Sequence, residues 1–410
     1  MRPRIVITGT GVTSALGMSR QALFEALLRG ESAIRTRPDW EDHITGSAAV
    51  LAAPVEIPPE RAKAISRHSR RSMGPTALFA ALAARALAED AALTPEELAS
   101  GRTGCIVSST LGSASEICNS VTALVQGCLN DLSACEFFKI ASHSAAFNVA
   151  NLLGIRGVLL SPCSACASSL QSVGLAYEQL LLGRQEAFVA GGCDEVAPVV
   201  LDFFRLLHAL ADAPDLAPEQ QSRPFDARRC GLVVGEGAGL LSIEALAHAQ
   251  ARGAKPLAEI AGYATNCTGT QISQSDRASI VRCMQAALDD AGLAPSDIDY
   301  ISAHATSTPA GDREEAAAIR ELFGDRVPVS SLKGQLGHTM GASGALETAA
   351  VLEMMAHNLL LPNANLENVD DECAGLWLLR EPLERPVKAV MKNCIAFGGV
   401  NATLILKRLP

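Results

Sequence analysis

The amino-acid sequence predicts an α/β protein, in which helices cover the faces of a sheet. Short apolar segments alternate along the chain with longer segments of helical periodicity. Three helical segments are followed at once by a glycine (Gly183, Gly292 and Gly324), the residue that most often ends a helix. Strands interleaved with helices are typical of sheets that are buried on both faces.

This alternation gives eight strands and six helices. The predicted strands cover residues 4–8, 103–108, 157–161, 186–190, 240–244, 298–303, 327–331 and 403–406. The predicted helices cover residues 20–29, 75–90, 167–182, 279–291, 313–323 and 346–358.

Two stretches interrupt the alternation. Residues 211–229 are rich in Pro, Asp and Arg and lack apolar periodicity, which predicts a segment on the surface. A second break, at 247–255, precedes an apolar segment from residue 257 that is expected to open a new strand. We therefore predict two similar α/β halves, residues 1–250 and 251–410.

Composition restricts the classes of function open to the chain. Its 410 residues carry a formal net charge of −10, so it lacks the basic character of a general nucleic-acid binder. No apolar stretch is long enough to span a bilayer, and the first residues do not resemble a signal peptide. The twelve cysteines lie mostly in apolar runs, which predicts free thiols in a reducing compartment. We expect a cytoplasmic protein that binds neither nucleic acid nor membranes.

A glycine-rich segment follows the first predicted strand. Gly9, Gly11 and Gly17 precede a helix, as in a dinucleotide-binding fingerprint. Ser14 stands where that fingerprint has its third glycine, and the acidic residue expected downstream is poorly placed. The alternative, a structural glycine turn, is favoured.

The segment around Cys166 is the first candidate for catalysis. An apolar strand runs into a turn, and a helix is predicted to begin just after Cys166. Unpaired N–H groups and the positive end of a helix dipole stabilise a thiolate, so we expect a lowered pKa for Cys166. With Cys163 it could instead form a redox dithiol or half of a zinc site, although no second ligand pair follows. An inert buried thiol is the remaining alternative.

Two histidines lie in turns after predicted strands of the second half. His304 and His338 each follow an apolar strand, and strand ends at one edge of an α/β sheet form a crevice where ligands bind. They could handle protons for a nucleophile. Lys333, five residues before His338, either orients the site electrostatically or faces solvent.

An aromatic residue followed by two glycines lies near the end of the chain. The turn Phe397-Gly398-Gly399 allows close approach of the backbone to a substrate and offers N–H donors. By itself it would be an ordinary turn.

Together these segments resemble the elongating β-ketoacyl-acyl-carrier-protein synthases of the thiolase superfamily (the KAS I/II type) over essentially the whole chain. The residues that carry the resemblance are Val6-Ile-Thr-Gly9-Thr-Gly11, Ser164-Ala-Cys166-Ala-Ser, Ala190-Gly-Gly192, Ser222-Arg-Pro224-Phe-Asp226, Gly235-Glu-Gly-Ala-Gly239 and the ordered set His304, Lys333, His338 and Phe397-Gly-Gly. The resemblance implies a thiolase fold with a layered αβαβα architecture.

The resemblance also implies an acyltransferase that carries out a decarboxylating Claisen condensation in fatty-acid, polyene or polyketide synthesis. Cys166 would hold the acyl group, and the N–H groups of Cys166 and Phe397 would bind the oxyanion. His304 and His338 would hydrogen-bond the thioester carbonyl of malonyl-ACP. No metal and no organic cofactor are expected, since the substrates are carried on the phosphopantetheine of the acyl carrier protein (ACP).

Further roles follow from the same resemblance. Thr306 and Thr308 would bond the phosphopantetheine arm, while Gly398 and Gly399 would lie against the substrate. Asp312, Glu315 and Lys333 would hold the catalytic side chains in place. Leu111 and Ile395 are expected beside the acyl cavity behind Cys166.

The sequence departs from the family pattern near the histidine and the last loop. Ala305 follows His304 where the family has glycine, and Ile395 and Ala396 replace an aromatic residue and a glycine. These changes leave the predicted chemistry intact, but they bear on acyl-chain selectivity and on movement of the loop. They favour a specialised pathway.

The densest basic cluster suggests where an acidic ACP would bind. It contains Arg67, Arg70 and Arg71, although the same pattern also fits a solvated helix face. The resemblance implies a homodimer or a heterodimer with a related subunit. Two other functions remain: a chain-length-factor-like subunit, which generally lacks the nucleophile, and a CoA-dependent thiolase, which uses a Cys and His pair.

Overall fold

The computed structural model describes residues 2–41, 44, 50–270, 272–273 and 275–409. The strands in this part of the chain are β1 (Ile5–Ser14), β2 (Arg35–Thr36), β3 (Leu51–Ala52), β4 (Thr103–Ser108), β5 (Leu159–Leu160), β6 (Ala187–Asp194), β7 (Gly237–Ala245), β8 (Ala258–Cys267), β9 (Tyr300–Ser302), β10 (Pro328–Ser330), β11 (Leu359–Leu360), β12 (Trp377–Leu378), β13 (Leu383–Glu384), β14 (Ala389–Ala396) and β15 (Val400–Lys407).

The α-helices of the same part are α1 (Arg20–Leu28), α2 (Pro59–Lys63), α3 (Arg67–Arg70), α4 (Pro75–Asp90), α5 (Pro95–Ala99), α6 (Ala114–Val125), α7 (Glu136–Ile140), α8 (Ser144–Leu153), α9 (Ser168–Leu181), α10 (Pro198–Leu206), α11 (Leu246–Ala251), α12 (Arg277–Ala291), α13 (Pro309–Phe323), α14 (Lys333–Leu336) and α15 (Ser343–His357). None of the helices in this part of the chain is long and apolar enough to cross a membrane.

Eleven strands form one mixed sheet that runs through both predicted halves. Their order is β12-β10-β9-β14-β15-β8-β1-β7-β6-β4-β5. Strands β1 and β8 are antiparallel and join the strands of residues 1–250 to those of 251–410. The division at residue 250 stays a prediction, because the two sets of strands share this sheet.

Helices form three layers around the two sets of strands. Helices α4 and α8 pack on strands of the first set, and α12 packs on β8 and β15 of the second set. Between the two sets lie α9, which contacts β6 and β15, and α15, which contacts β7 and β14. The predicted layered α/β architecture is confirmed.

The central helix α15 comes very close to the sheet because glycines line its path. A Cβ added at Gly239 in β7 would lie 2.2 Å from the backbone nitrogen of Leu346. A Cβ at Gly192 in β6 would lie 2.6 Å from the carbonyl oxygen of Gly341. These glycines therefore let the start of α15, and the loop before it, sit directly against the strands.

Several predicted elements match the structure closely. Strand β4 and helix α4 have the predicted bounds, and α9 is one residue shorter at each end than predicted. Strand β8 confirms the strand expected from residue 257. Strand β14 has no counterpart among the predicted strands, because Lys392 and Asn393 interrupt its apolar pattern.

Two interpretations of the sequence were only partly correct. Most of the glycine-rich segment after residue 8 is strand, since β1 continues to Ser14 with Gly9 and Gly11 inside it, and the predicted turn is present only at residues 15–17. A Cβ at Gly11 would lie 1.9 Å from the carbonyl oxygen of Ala83, so these glycines admit α4. The predicted surface segment 211–229 is partly buried: Arg223 is fully buried and pairs with buried Asp226 at 2.8 Å.

Candidate active site

Cys166 lies in a short 3-10 turn (Ala165–Ala167) that leads directly into α9. The residue before it, Ala165, has a φ of +47°, a left-handed conformation that is costly for alanine. Local strain of this kind is typical of functional sites that the surrounding structure holds in place. The thiol is buried, with 5% of the residue exposed.

His338 contacts this thiol directly. Its Nε2 lies 2.9 Å from Cys166 Sγ, and its Nδ1 lies 3.1 Å from the hydroxyl of Ser343. The His338 backbone N–H donates to the carbonyl of Val233 at 2.7 Å, and its carbonyl accepts from Gly235 N–H at 2.9 Å. The ring is therefore held by its hydroxyl partner and by a backbone bridge to another segment.

His304 stands beside His338, with its backbone fixed by a buried carboxylate. The two rings are 5.2 Å apart between centroids and nearly perpendicular. Glu315 on α13 accepts hydrogen bonds from the backbone N–H groups of His304 at 2.8 Å and Ala305 at 2.7 Å. The Nδ1 of His304 is buried without a hydrogen-bond partner among the described residues.

The convergence of strand ends that the sequence predicts is present. Strands β9, β10 and β14 are parallel, so their carboxyl ends lie at the same edge of the sheet. His304 follows β9, Lys333 follows β10 and Phe397 follows β14. The structure therefore brings these side chains and His338 to the Cys166 turn.

The direction predicted for the pKa of Cys166 was wrong. Burial raises it to about 12, an effect to which nearby Cys394 adds and which Lys333 and the Phe397 N–H only partly oppose. The position at a helix start does not outweigh this desolvation. In the free protein at neutral pH Cys166 is therefore a thiol, which would need a base to accept its proton before it could act as a nucleophile.

In neutral form each histidine ring can accept a proton on one nitrogen and donate a hydrogen bond from the other. Burial lowers the pKa of each ring well below its usual value, and the Lys333 ammonium lowers both further. The Sγ of Cys166 and one nitrogen of each ring lie within 4.8 Å of one another, a set that could also ligate a soft metal ion. The neighbouring lysine charge disfavours a second cation. Absence of a metal and of an organic cofactor stays a prediction.

Lys333 is fully buried, which overturns the alternative that it faces solvent. Its Nζ forms an ion pair with Glu347 Oε1 at 2.5 Å. A second buried lysine, Lys392, donates to Glu347 Oε2 at 2.5 Å. The sequence interpretation missed both Glu347 and Lys392. A lysine inside the apolar run of β14 was a signal that could have identified Lys392.

Asp312 shapes the threonine turn that follows His304. Its carboxylate accepts from the backbone N–H of Ser307 at 3.1 Å and of Phe225 at 2.9 Å. Burial raises its pKa to about 7. Within the turn, the hydroxyls of Thr306 and Thr308 lie 3.1 Å apart.

A cavity of about 430 Å³ opens onto the thiol and both histidines. Of the predicted substrate contacts, Thr306, Thr308 and Ile395 line it, and so does Phe397. Further lining residues that the sequence did not single out are Phe204, Leu207, His208, Ser273 and Ser275.

Other predicted site residues lie elsewhere. Leu111 is not among the residues that line this cavity, and it is 45% exposed. Gly398 and Gly399 adjoin Phe397 without lining the cavity, and both have positive φ, +88° and +73°.

The basic cluster is at the protein surface, outside the cavity lining. Arg67 and Arg71 are exposed, whereas Arg70 is half-buried and its Nε donates to the carbonyl of Ile65 at 3.1 Å. None of the three forms an ion pair with a carboxylate among the described residues.

Comparisons with known proteins agree with this fold. The family description "Beta-ketoacyl synthase, N-terminal domain" matches residues 2–249, and "Beta-ketoacyl synthase, C-terminal domain" matches residues 257–367. A curated relative is 3-oxoacyl-(acyl-carrier-protein) synthase 1 of Haemophilus influenzae, which is 35% identical over 410 residues and 99% of each chain.

Two solved structures cover the chain completely and are themselves completely covered. A β-ketoacyl synthase from Burkholderia phymatum has a TM-score of 0.94 at 39% identity. The ishigamide ketosynthase/chain length factor has a TM-score of 0.92 at 31% identity. The chain therefore belongs to the β-ketoacyl synthase family, as its resemblance to that family predicted.

The carboxylate of Glu315 provides a test of this geometry. In Glu315→Gln a single amide oxygen replaces two carboxylate oxygens, so one of the two N–H groups that define the His304 turn loses its acceptor. We expect a loss of about 1–3 kcal/mol in unfolding free energy and at least a roughly tenfold slower condensation. Urea denaturation and steady-state rates measure the two effects.

Glu321→Gln is the matched control, because Glu321 is an exposed residue on the same helix α13. This change is expected to alter stability by less than about 0.5 kcal/mol. Equal stability and activity of the two variants would contradict the role assigned to Glu315.

Proposed function

We propose that this β-ketoacyl synthase transfers an acyl group to Cys166 and condenses it with malonyl-ACP, with loss of CO₂. The observation that carries the proposal is the 2.9 Å contact of Cys166 Sγ with His338 Nε2, with His304 alongside in the same cavity. A thiol, a base and a second imidazole are what two successive thioester reactions require.

The first half-reaction loads the enzyme. Cys166 Sγ attacks the thioester carbonyl of the acyl donor while His338 Nε2 accepts the thiol proton, which offsets the raised pKa of the buried thiol. The N–H groups of Cys166 and Phe397 bind the oxyanion of the tetrahedral intermediate. The intermediate expels the phosphopantetheine thiolate, which takes the proton from His338. The product is acyl-Cys166.

The second half-reaction forms the carbon nucleophile and the new bond. Imidazole N–H groups of His304 and His338 bond the thioester carbonyl oxygen of malonyl-ACP. As CO₂ leaves, the electron pair of the broken C–C bond forms an enolate at that oxygen. The enolate carbon attacks acyl-Cys166, and collapse of the oxyanion expels the Cys166 thiolate. The thiolate then takes up one proton from solvent, so the condensation consumes one proton for each CO₂ released. The product is 3-oxoacyl-ACP.

Supporting residues have roles that follow from their contacts. Glu315 fixes the His304 backbone, and Asp312 fixes the turn that carries Thr306 and Thr308. Those two hydroxyls line the cavity, where they are placed to bond a phosphopantetheine arm. Ile395 also lines it, so this residue bears on which acyl groups fit beside the thiol.

The other two functions are less well supported. A chain-length-factor-like subunit needs no nucleophile, yet here a buried thiol is hydrogen-bonded to an imidazole. A thiolase-type synthase needs a cysteine and a histidine, whereas two histidines stand together here. The second imidazole favours decarboxylation.

The departures at Ala305 and Ile395 favour a specialised polyene or polyketide pathway over housekeeping fatty-acid synthesis.

ACP is proposed as the carrier of both substrates. The curated relative from Haemophilus influenzae has this carrier in its name. The basic cluster Arg67, Arg70 and Arg71 leaves its charges unpaired by carboxylates in the described part of the chain, as a dock for an acidic protein would. We place the dock there.

A dimer formed through strand β5 is the proposed assembly. This strand lies at one end of the sheet, and its two leucines are 39% and 37% exposed. On α6, Leu124 and Val125 are 59% and 81% exposed. An unpaired strand edge beside apolar side chains is costly unless another chain covers it. A second copy or a related subunit would extend the sheet.

The nucleophile is tested by acyl labelling, with Cys163 as the matched control. Cys163 is an exposed free cysteine three residues from Cys166. Incubation with radiolabelled acyl-ACP should leave label on the wild type and on Cys163→Ala, and none on Cys166→Ala. Label retained by Cys166→Ala, or lost from Cys163→Ala alone, would contradict the assignment of Cys166 as the nucleophile.

The dock is tested by charge reversal of its two exposed arginines. Arg67→Glu combined with Arg71→Glu should raise KM for ACP substrates by roughly tenfold, because charge complementarity is lost. KM for small pantetheine thioesters should stay unchanged. Arg184→Glu with Lys255→Glu makes the same charge change at exposed positions elsewhere. Equal effects of the two pairs would contradict the dock.

The assembly is tested at the β5 edge. Leu160→Glu places like charges at a two-fold interface, so the dimer should dissociate to monomers in analytical ultracentrifugation. Leu182→Glu is the control, because Leu182 is 65% exposed at the end of α9. If Leu160→Glu sediments as a dimer like the control, the dimer does not form through this edge.

A further inference from the structure

Lys392 is a buried charge to which the mechanism above gives no role. It lies in the middle of β14, is completely buried, and does not line the catalytic cavity. A lysine is almost never fully buried unless it is paired. Its partner is Glu347 on α15, whose Oε2 accepts a hydrogen bond from Lys392 Nζ at 2.5 Å.

Glu347 is shared between two lysines. While Oε2 binds Lys392, Oε1 lies 2.5 Å from Lys333 Nζ, and all three side chains are fully buried. Burial alone would raise the pKa of Glu347, yet this pKa is lowered because both ammonium groups stabilise the carboxylate. Two positive charges and one negative charge leave this Lys–Glu–Lys cluster with an excess of one positive charge.

A purely structural ion pair would need only one of the lysines. The desolvation of a second ammonium is expensive, and Glu347 offers a single negative charge to both. A further buried carboxylate, Glu315, interacts electrostatically with Lys392, but it binds the backbone N–H groups of the His304 turn and pairs with neither lysine. The excess charge is therefore not explained by ion pairing alone. The charge lies close to the candidate active site, since the ionisable groups that interact electrostatically with Lys392 include Glu315, His304 and His338.

We propose that Lys392 is a positioning residue for the condensation, acting through Glu347, Lys333 and the two histidines without touching substrate. The proposal rests on the function proposed above. Lys392 holds Glu347, which in turn holds Lys333. Lys392 is paired with Ser302 of the neighbouring strand β9, two residues before His304.

The consequence is that both rings stay neutral. Burial lowers the pKa of His338, and Lys333 and then Lys392 lower it further. The pKa of His304 is lowered by burial, by Lys333, by His338 and by Lys392. A protonated His338 could not accept the thiol proton of Cys166, and a neutral ring is the form that takes it up.

The lowered pKa of each histidine determines how activity depends on pH. Each histidine has a lowered pKa, so the neutral, active form persists to lower pH than for a free imidazole. Without the Lys392 charge the pKa of each ring rises toward its usual value, and activity is lost at a higher pH as the solution is acidified. The acid limb of the pH–rate profile therefore moves to higher pH.

The experiment compares malonyl-ACP decarboxylation and acyl transfer between about pH 5 and 9 in four proteins. They are the wild type, Lys392→Met, Lys392→Gln and the control Lys388→Met, which changes an exposed lysine just before β14. Lys392→Met removes both the charge and the hydrogen bond to Glu347. Lys392→Gln removes the charge but keeps a hydrogen-bond donor for Glu347. It therefore distinguishes the effect of the Lys392 charge from the effect of its hydrogen bond to Glu347.

We expect the acid limb of the wild type and of Lys388→Met to lie below about pH 6. In both Lys392 variants it should rise by about one pH unit, which is roughly a tenfold loss of rate below the limb. A wild-type pH profile in Lys392→Gln would overturn the proposal, because it would show that Lys392 only braces Glu347.

Measurements on the wild type alone also test the role of Lys392, in case a variant fails to fold or the enzyme is inactive. A wild-type acid limb at about pH 6.5 or above contradicts it without any variant. If the wild type neither decarboxylates nor accepts acyl groups, the proposed function fails separately. In that case NMR titration of His304 and His338 in the wild type tests the inference about Lys392. Rings that are neutral at about pH 6 support it, and rings that are protonated at that pH overturn it.

Discussion

The contact between Cys166 Sγ and His338 Nε2, at 2.9 Å, is the interaction on which the rest of the site depends. It joins residues 172 positions apart, so it exists only when α9 and the loop before α15 pack together. The glycines of β6 and β7 allow that packing, since any side chain there would collide with the start of α15. The central layer of the fold thus sets the distance between the Cys166 thiol and the His338 imidazole.

Burial then decides how this pair works. It raises the pKa of Cys166 to about 12 and lowers the pKa of both histidines well below the usual value. A thiol next to a neutral base can exchange its proton at the moment of attack, without storing a thiolate in an apolar site. The buried lysines set the charge of the surroundings, and Glu347 keeps those two cations in place.

The sequence predicted what depends on local pattern. The turn before α9, the histidines after their strands and the layered architecture all follow from periodicity, glycine positions and family resemblance. It missed what depends on distant partners. The direction in which the pKa of Cys166 shifts depends on how deeply the thiol is buried. The role of Lys392 depends on its ion pair with Glu347, 45 residues earlier in the chain. Gly9 and Gly11 were interpreted as a turn because the helix that packs on them begins more than sixty residues later.

Identification of the product made by the wild-type enzyme tests the proposed condensation most directly. Acyl-ACP and malonyl-ACP with a labelled methylene carbon are incubated with the protein, and the carrier is analysed by intact mass spectrometry together with the released CO₂. The expected product is 3-oxoacyl-ACP that carries the labelled carbon, with one CO₂ released for each new carbon–carbon bond. Acyl exchange between carriers without any new carbon–carbon bond, or release of CO₂ with only acetyl-ACP formed, would contradict the proposed condensation.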